Sequence, residues 1–348
     1  MSGKEDPAIP HRRRVRYGGK NPRRFEDKYK ELDPQKYPET VAKVLASGKT
    51  PAGTHVPILV AEVLEVLRPQ LGNTAVDCTV GYGGHAREIL RRILPGGRMV
   101  ALDADPIELG RTSSRFLEEG FGDKEIAFCR SNFAGIAKVL AERGIEAADF
   151  IFADLGVSSM QIDTPSRGFS VKHEGPLDMR MNPGKGASAS EFLTRIKPDK
   201  LAELLMENAD EPNAARLGSA LAGRKIETTL GLSRAVGAAL PDLDVVEGEK
   251  AVRRVFQALR IAVNDEFSAL DMFLRQLPGV LKPGGRVAVL TFHSGEDRRV
   301  KKAFQTGLRN GSYADVARDV LRASADECRA NPRASSAKLR WAVRAGAP

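Results

Sequence analysis

Apolar and polar positions along this chain fall into blocks that predict strands and helices in turn. The clearest block spans residues 75–105. Two short apolar runs, 75–80 and 99–102, flank the glycine-rich Gly81-Tyr82-Gly83-Gly84-His85 and an amphipathic stretch at 86–94. Apolar run, glycine loop, helix and apolar run is the pattern of a βαβ unit. Further strands are predicted at 125–128 and 149–153, with helices between. A helix at 59–67, stopped by Pro69, is expected to pack beside the first strand. Alternating strands and helices argue for an α/β fold with a parallel, doubly wound sheet.

After Asp154 the pattern changes. Residues 155–161 and 166–181 are loop-like, and long irregular segments of this kind are functional or disordered. Phe169, Leu177 and Met179 argue for order. Residues 188–253 show helical apolar spacing at 193–196, 201–206 and 217–226, with no strand alternation, and read as a helical insertion. The α/β pattern then resumes with a helix at 252–277, a turn at 282–285, a strand at 286–291 and a final pair of strands at 313–321 and 337–343.

Ligands of doubly wound sheets bind beyond the carboxyl ends of the strands. Gly81 to His85, Asp103, Phe133 and Asp154 each follow one predicted strand. Asp103 stands 22 residues after Gly81, where a carboxylate can take ribose hydroxyls. A dinucleotide fingerprint would need a third glycine at 86, which is Ala86. The Gly81-x-Gly83-Gly84 loop resembles instead the first motif of S-adenosylmethionine-dependent methyltransferases. A tight turn without a ligand is the alternative. Phe133 suits either adenine or the core, His85 reads as a helix-start residue facing solvent, and Gln161 carries no signal of its own.

Length and composition narrow the class. The 348 residues can hold one large α/β domain or two smaller ones, and 42% hydrophobic content supports a core. No apolar run approaches the roughly 20 residues of a membrane span. The N-terminal residues lack the apolar core of a secretory signal, and Glu5, Asp6, Glu26 and Asp27 argue against a transit peptide. Cys78, Cys129 and Cys328 match no zinc spacing, and the five histidines form no H-x-x-x-H pair, so no metal is expected. Cys78 reads as a packed thiol in a reducing cytoplasm. The net charge of +9 is uneven: +6 in residues 1–50, +8 in 298–348 and −5 between. Basic ends suggest a polyanion, and Arg12, Arg13, Arg14 and Arg16 beside Tyr17 and Phe25 suit RNA. Residues 1–50 read as an extended basic arm, with a helix at 38–46, that adds RNA affinity; a brace burying Tyr29, Leu32 and Tyr37 is the alternative.

Longer motifs carry a resemblance. They are His55-x-Pro, Gly83-Gly-His85, Asp154-Leu-Gly-Val-Ser-Ser159, Arg167-Gly-Phe-Ser170, Gly175-Pro-Leu-Asp-Met-Arg-Met181, Phe256-Gln-Ala-Leu-Arg-Ile261, Phe292-His-Ser, Glu296-Asp-Arg298 and Asn331-Pro-Arg333. From His55 to Arg344 the chain resembles the ribosomal RNA small subunit methyltransferase H family. The resemblance implies a class I methyltransferase fold with an inserted helical domain. It also implies methyl transfer from S-adenosylmethionine to N4 of a cytidine in the decoding region of 16S rRNA, within the small ribosomal subunit in the cytoplasm. The expected layout is a basic extension at 1–50, a methyltransferase domain at 51–160 and 254–348, and a helical substrate-recognition domain at 161–253. By motif, the family's cofactor contacts fall on Gly83, Gly84, His85, Asp103, Phe133, Asp154 and Gln161.

Asp154 and Asp178 are the catalytic candidates, although Asp154 is the better cofactor ligand and Asp178 suits loop capping equally. Many amino-methylases carry Asp/Asn/Ser-Pro-Pro-aromatic after the fourth strand, where this chain has Asp154-Leu-Gly-Val. Gly295 stands where the family usually has leucine, which should loosen that loop. Asp210-Glu-Pro-Asn213 replaces a glycine-led acidic motif, which removes the basis for an RNA contact there. Residues 1–50 have no counterpart in the shorter family members. Two rival readings are an NAD-dependent oxidoreductase, disfavoured by Ala86, and a non-catalytic RNA-binding assembly factor with a vestigial cofactor pocket.

Overall fold

The computed structural model describes residues 57–346; the basic extension, its expected helix at 38–46, the alternative brace of Tyr29, Leu32 and Tyr37, and His55 lie outside the described residues. Within the described residues the strands are β1 (Thr74–Asp77), β2 (Arg98–Asp103), β3 (Ile126–Arg130), β4 (Ala148–Asp154), β5 (Leu281–Thr291), β6 (Tyr313–Val316) and β7 (Lys338–Arg344). They form one sheet in the order β3-β2-β1-β4-β5-β7-β6. This is a doubly wound sheet, the architecture expected from the resemblance to class I methyltransferases.

The first five strands are parallel, whereas β7 runs antiparallel to both β5 and β6. The parallel sheet expected from the first strands is present in β1 to β5, and the final pair of strands adds the antiparallel edge. β6 and β7 are joined by residues 317–337, which hold a short helix, Ala325–Ala330, and a 3-10 turn. The turn expected at 282–285 is a bulge inside β5. Ala148 pairs with Leu281 and Phe150 with Arg286, so the four residues between loop out.

Strand side chains divide by parity into two cores. Val76, Val100, Leu102, Ile151, Val287 and Val289 join one cluster; Ala75, Met99, Ala101, Phe150, Phe152 and Leu290 join the other. Both faces are covered, which is why these strands read as continuous apolar runs rather than alternating ones. The first face is covered by Ile136–Glu142, Glu266–Val280 and Ser294–Arg309, the second by Val60–Leu67, Gly84–Ile93 and Pro106–Glu118. Val60–Leu67 lies against β5 rather than the expected β1, and Arg286 Nη1 donates to the Val66 carbonyl at 3.1 Å.

Between β4 and β5 the chain is helical. Ala189–Arg195, Pro198–Ala209, Ala214–Leu221, Thr229–Ala239 and Val245–Asn264 enclose a third apolar cluster that includes Leu177, Met179, Leu205, Leu217, Leu232 and Leu259. The expected continuous helix at 252–277 is two helices. Asp265, at φ 50°, breaks it into Val245–Asn264 and Glu266–Val280. Aspartate tolerates the left-handed region better than most side chains. Ile226, expected at a helix end, lies beyond the helix, which stops at Leu221. The loop after β4 contains a short helix, Ser159–Asp163, and a 3-10 turn, Pro165–Arg167, that apolar spacing did not reveal.

Candidate active site

The carboxyl ends of the parallel strands gather the expected residues. After β1 the loop turns at Gly83, whose φ of +84° is left-handed. A Cβ there would lie 2.4 Å from the Phe116 ring. The loop is therefore glycine for two reasons, backbone sign and the aromatic packed beneath it. Gly84 opens the following helix, and a Cβ on it would sit 3.0 Å from Pro57. The Arg115 guanidinium lies 3.9 Å from the Tyr82 ring centre.

Asp103 ends β2 directly beside this loop. Its Oδ2 accepts the Gly81 N–H and its Oδ1 the Asp105 N–H, each at 2.8 Å. A carboxylate oxygen has about two acceptor sites, so each oxygen retains one. That residual capacity fits a vicinal diol, the chemistry of a ribose edge. Phe133 opens a 3-10 turn after β3, half-buried, with its ring 5.5 Å from that of Phe273. It is joined to the core yet keeps exposed surface, which accommodates both readings of the residue.

His85 corrects the sequence reading of a solvent-facing residue. It is 6% exposed. Its Nε2 lies 2.9 Å from the Ile58 carbonyl, its Nδ1 3.9 Å from Asp154 Oδ2, and its ring packs on Phe152. Asp154 ends β4 with its side chain 20% exposed. Its N–H donates to Thr79 Oγ1 at 2.6 Å, and the Thr79 N–H donates to Asp77 Oδ1 at 3.0 Å. Thr79 thus fixes the end of β1 against the end of β4.

Burial dominates the electrostatics. It pushes the Asp154 carboxyl up to about 8, helped by the charges of Asp77 and Glu296. Asp77 is raised to about 7, by burial against the Thr79 N–H, and Asp103 to about 6, by burial against the Asp105 and Gly81 N–H groups. Unfolded carboxylates titrate near 4. Between about pH 4 and 8 the native state therefore holds more protons than the unfolded chain. The stability these three groups contribute is fully present below about pH 4, declines as pH rises above it, and is lost once pH has passed through the folded values of about 6 to 8. A series of melting temperatures of the ligand-free protein should fall between about pH 4 and 8. The Asp154→Asn variant should show a shallower fall, and an identical slope would contradict the assignment.

Asp178 lies apart from this group. Its Oδ1 accepts Arg180 Nε at 2.8 Å and its Oδ2 accepts Arg180 Nη2 at 2.7 Å. Although burial opposes it, that pairing holds the carboxyl below its ordinary value. Gln161 is buried, with Oε1 accepting the Ser158 N–H in a capping box and Nε2 donating to Asp105 Oδ2 at 2.8 Å. Asp105 was missed in the sequence, although Asp105-Pro106 is a helix-start signal. Asp77 was missed as well, and an acid inside an apolar run gave no sign of its place.

Glu296 is a further buried acid. Burial works against its charge, yet the His293 hydrogen bond, Arg260 and the Phe292 N–H hold its carboxyl below the ordinary range. Gly295 does not loosen this segment. It lies in the first turn of Ser294–Arg309, and Phe267 fills the space where a Cβ would stand, 2.7 Å from the ring edge. Asp210, at φ 49°, accepts from Ser294 Oγ at 3.2 Å and from Arg298 Nη2 at 3.1 Å. The departure from a glycine-led motif thus gives an internal contact to the helix after β5.

Residues 52–345 match the model of the MraW methylase family. The chain is similar to ribosomal RNA small subunit methyltransferase H 1 of Agathobacter rectalis, 49% identical over 96% of this chain and 98% of that protein. Similar proteins of the same printed name in Lachnoclostridium phytofermentans and, as H 2, in Alkaliphilus metalliredigens are 48% and 49% identical, each over 96% of this chain and over 93% and 97% of their own lengths. Coverage of this extent takes in most of residues 1–50, so the extension does have a counterpart in these relatives.

Proposed function

The chain belongs to the MraW methylase family, and from that premise we propose that it methylates N4 of a cytidine in the decoding region of 16S ribosomal RNA, with S-adenosylmethionine as donor. The observation that carries this reading is the near-full-length likeness to relatives whose names give small-subunit ribosomal RNA as their target. Family membership sets aside the oxidoreductase reading, and methylase relatives of this similarity weigh against a vestigial pocket.

S-adenosylmethionine, when bound, supplies an electrophilic methyl group on a sulfonium. Asp103 would hold the ribose, Phe133 would flank the adenine, and Gly83 and Gly84 would allow close approach of the donor to the backbone. His85 and Asp154 would face the amino-acid end, with Gln161 bracing this wall. The helical region at 161–253, with the loop at 165–181 leading into it, would form the acceptor side. The basic extension and the basic C-terminal residues would hold RNA phosphate.

The exocyclic amine of cytosine is a weak nucleophile because its lone pair is delocalised into the ring. Alignment against the methyl group is the main service required, and proximity can supply about 7–11 kcal/mol in favourable cases. Asp154 holds a partly exposed carboxyl raised to about 8 at the end of β4. In its ionised form it can accept an amine hydrogen as positive charge develops there. A strong base is not needed, since the methylated amine is acidic. Attack at a ring carbon by a covalent route would instead require a reactive thiolate. Cys78 is 1% exposed, and burial raises its thiol well above the usual value.

Incubation with small ribosomal subunits and labelled donor should yield N4-methylcytidine after nucleoside digestion. Label on a ring carbon, or on protein alone, would reject the reading.

A further inference from the structure

We propose that Arg167 is a positioning residue that registers the acceptor-side loop, residues 165–181, against the donor-binding end of β2 through the buried carboxylate of Asp105. The inference rests on the methyltransfer reading above. It starts from a chain of contacts that site motifs do not explain. The Asp105 N–H donates to Asp103 Oδ1 at 2.8 Å, so Asp105 is fixed to the carboxylate assigned to the ribose. Its own side chain is 1% exposed. Oδ1 caps the helix Pro106–Glu118 through the Ile107 N–H, while Oδ2 accepts Gln161 Nε2 at 2.8 Å and Arg167 Nη1 at 2.7 Å.

Arg167 then reaches the far side of the loop. Its Nη2 donates to the carbonyls of Arg180 and Met181, both at 2.9 Å, and its own carbonyl accepts the Met179 N–H at 3.1 Å. Asn264 grips the same backbone from the helical region, accepting the Met181 N–H at 2.7 Å and donating to the Met179 carbonyl at 2.8 Å. Met179 sits between these bonds at φ 62°. A methionine adopts that left-handed conformation only where its surroundings impose it. Buried ion pairs are weak sources of net stability, but the planar guanidinium fork fixes direction, which an ammonium cannot do at several acceptors. The network therefore serves geometry: donor carboxylate, Asp105, Arg167 and the backbone at 179–181 form one continuous hydrogen-bonded line.

The test uses the full chain with small ribosomal subunits as acceptor. Arg167→Lys keeps the charge and loses the fork. It should raise the KM for subunits by about tenfold or more, lower kcat, and abolish any tightening of donor binding by acceptor. Donor affinity without acceptor, read by calorimetry, should change less than about threefold, a shift too small for a direct ligand contact. Asp105→Asn, nearly isosteric and still able to cap its helix through Oδ1, should reproduce this selective defect and serves if the first variant does not fold. A variant with a lowered melting temperature but an unchanged KM would overturn the proposal, as would a loss of donor affinity equal to the loss in KM. Absence of methylation by the wild-type chain would overturn the functional reading beneath it instead.

Discussion

Asp103→Ala should reduce affinity for S-adenosylmethionine by about two orders of magnitude or more, the loss of two charge-assisted hydrogen bonds at roughly 1.5–3 kcal/mol each. The carboxylate is already oriented by the Gly81 and Asp105 N–H groups, so no rearrangement offsets the gain on binding. Removing it also leaves those two N–H groups without their partner. Asp103→Asn should fall between wild type and alanine, because one acceptor oxygen remains. Affinity for small subunits in the absence of donor should be unaffected. Calorimetry with the donor and a separate subunit-binding assay distinguish these outcomes. Donor affinity unchanged in Asp103→Ala would remove Asp103 from the site.

Gly83→Ala should abolish detectable donor binding and destabilise the free protein by about 2–5 kcal/mol. The estimate joins roughly 1–2 kcal/mol for a left-handed residue with a Cβ to about 1–3 kcal/mol for overpacking. The overpacking has an identified partner, since the new Cβ would fall 2.4 Å from the Phe116 ring. Phe116 is fully buried. Gly83→Ala combined with Phe116→Leu should therefore recover part of the stability relative to the sum of the single changes. It should not recover donor binding, because the left-handed backbone required at position 83 still disfavours alanine. Urea unfolding of the four proteins gives the coupling. Strict additivity would show that the ring and the loop are independent.

Much of this fold was legible because the central strands are apolar on both sides. The runs at 99–102 and 149–153 become strands, and the run at 75–80 is strand as far as Asp77; their side chains enter two cores by parity. The loop after each strand could then be named as well, and Gly83, Asp103, Phe133 and Asp154 all lie at carboxyl ends. What failed depended on contacts distant in sequence. His85 is buried because Ile58 and Phe152 come to it, from 27 and 67 residues away. Gly295 is packed because Phe267 from the preceding helix occupies its side. The break at Asp265 was hidden because apolar spacing continues across a left-handed residue that polar character alone does not announce. The antiparallel edge was hidden for a related reason, since a strand's direction depends on the path of the connection and not on its own residues.

The Asp105–Arg167 pair shows the same limit from the other side. Both residues stood in plain motifs, one beside a helix-starting proline and the other opening Arg167-Gly-Phe-Ser170. Nothing in either motif says that they meet across 62 residues. Asp77 is the other case, an acid enclosed among apolar neighbours and titrating near 7. Its effect on Asp154 exists because β1 and β4 pair in parallel, which brings Asp77 opposite Phe152, and Thr79 ties their ends.

The measurement that bears most directly on the central claim is mass mapping of 16S ribosomal RNA from cells with and without this protein. The account predicts one cytidine in the decoding region that carries an N4-methyl group when the protein is present and loses it when the protein is absent or carries Asp103→Ala. An unchanged modification map, or loss of a methyl group from a different base or a ring carbon, would contradict it.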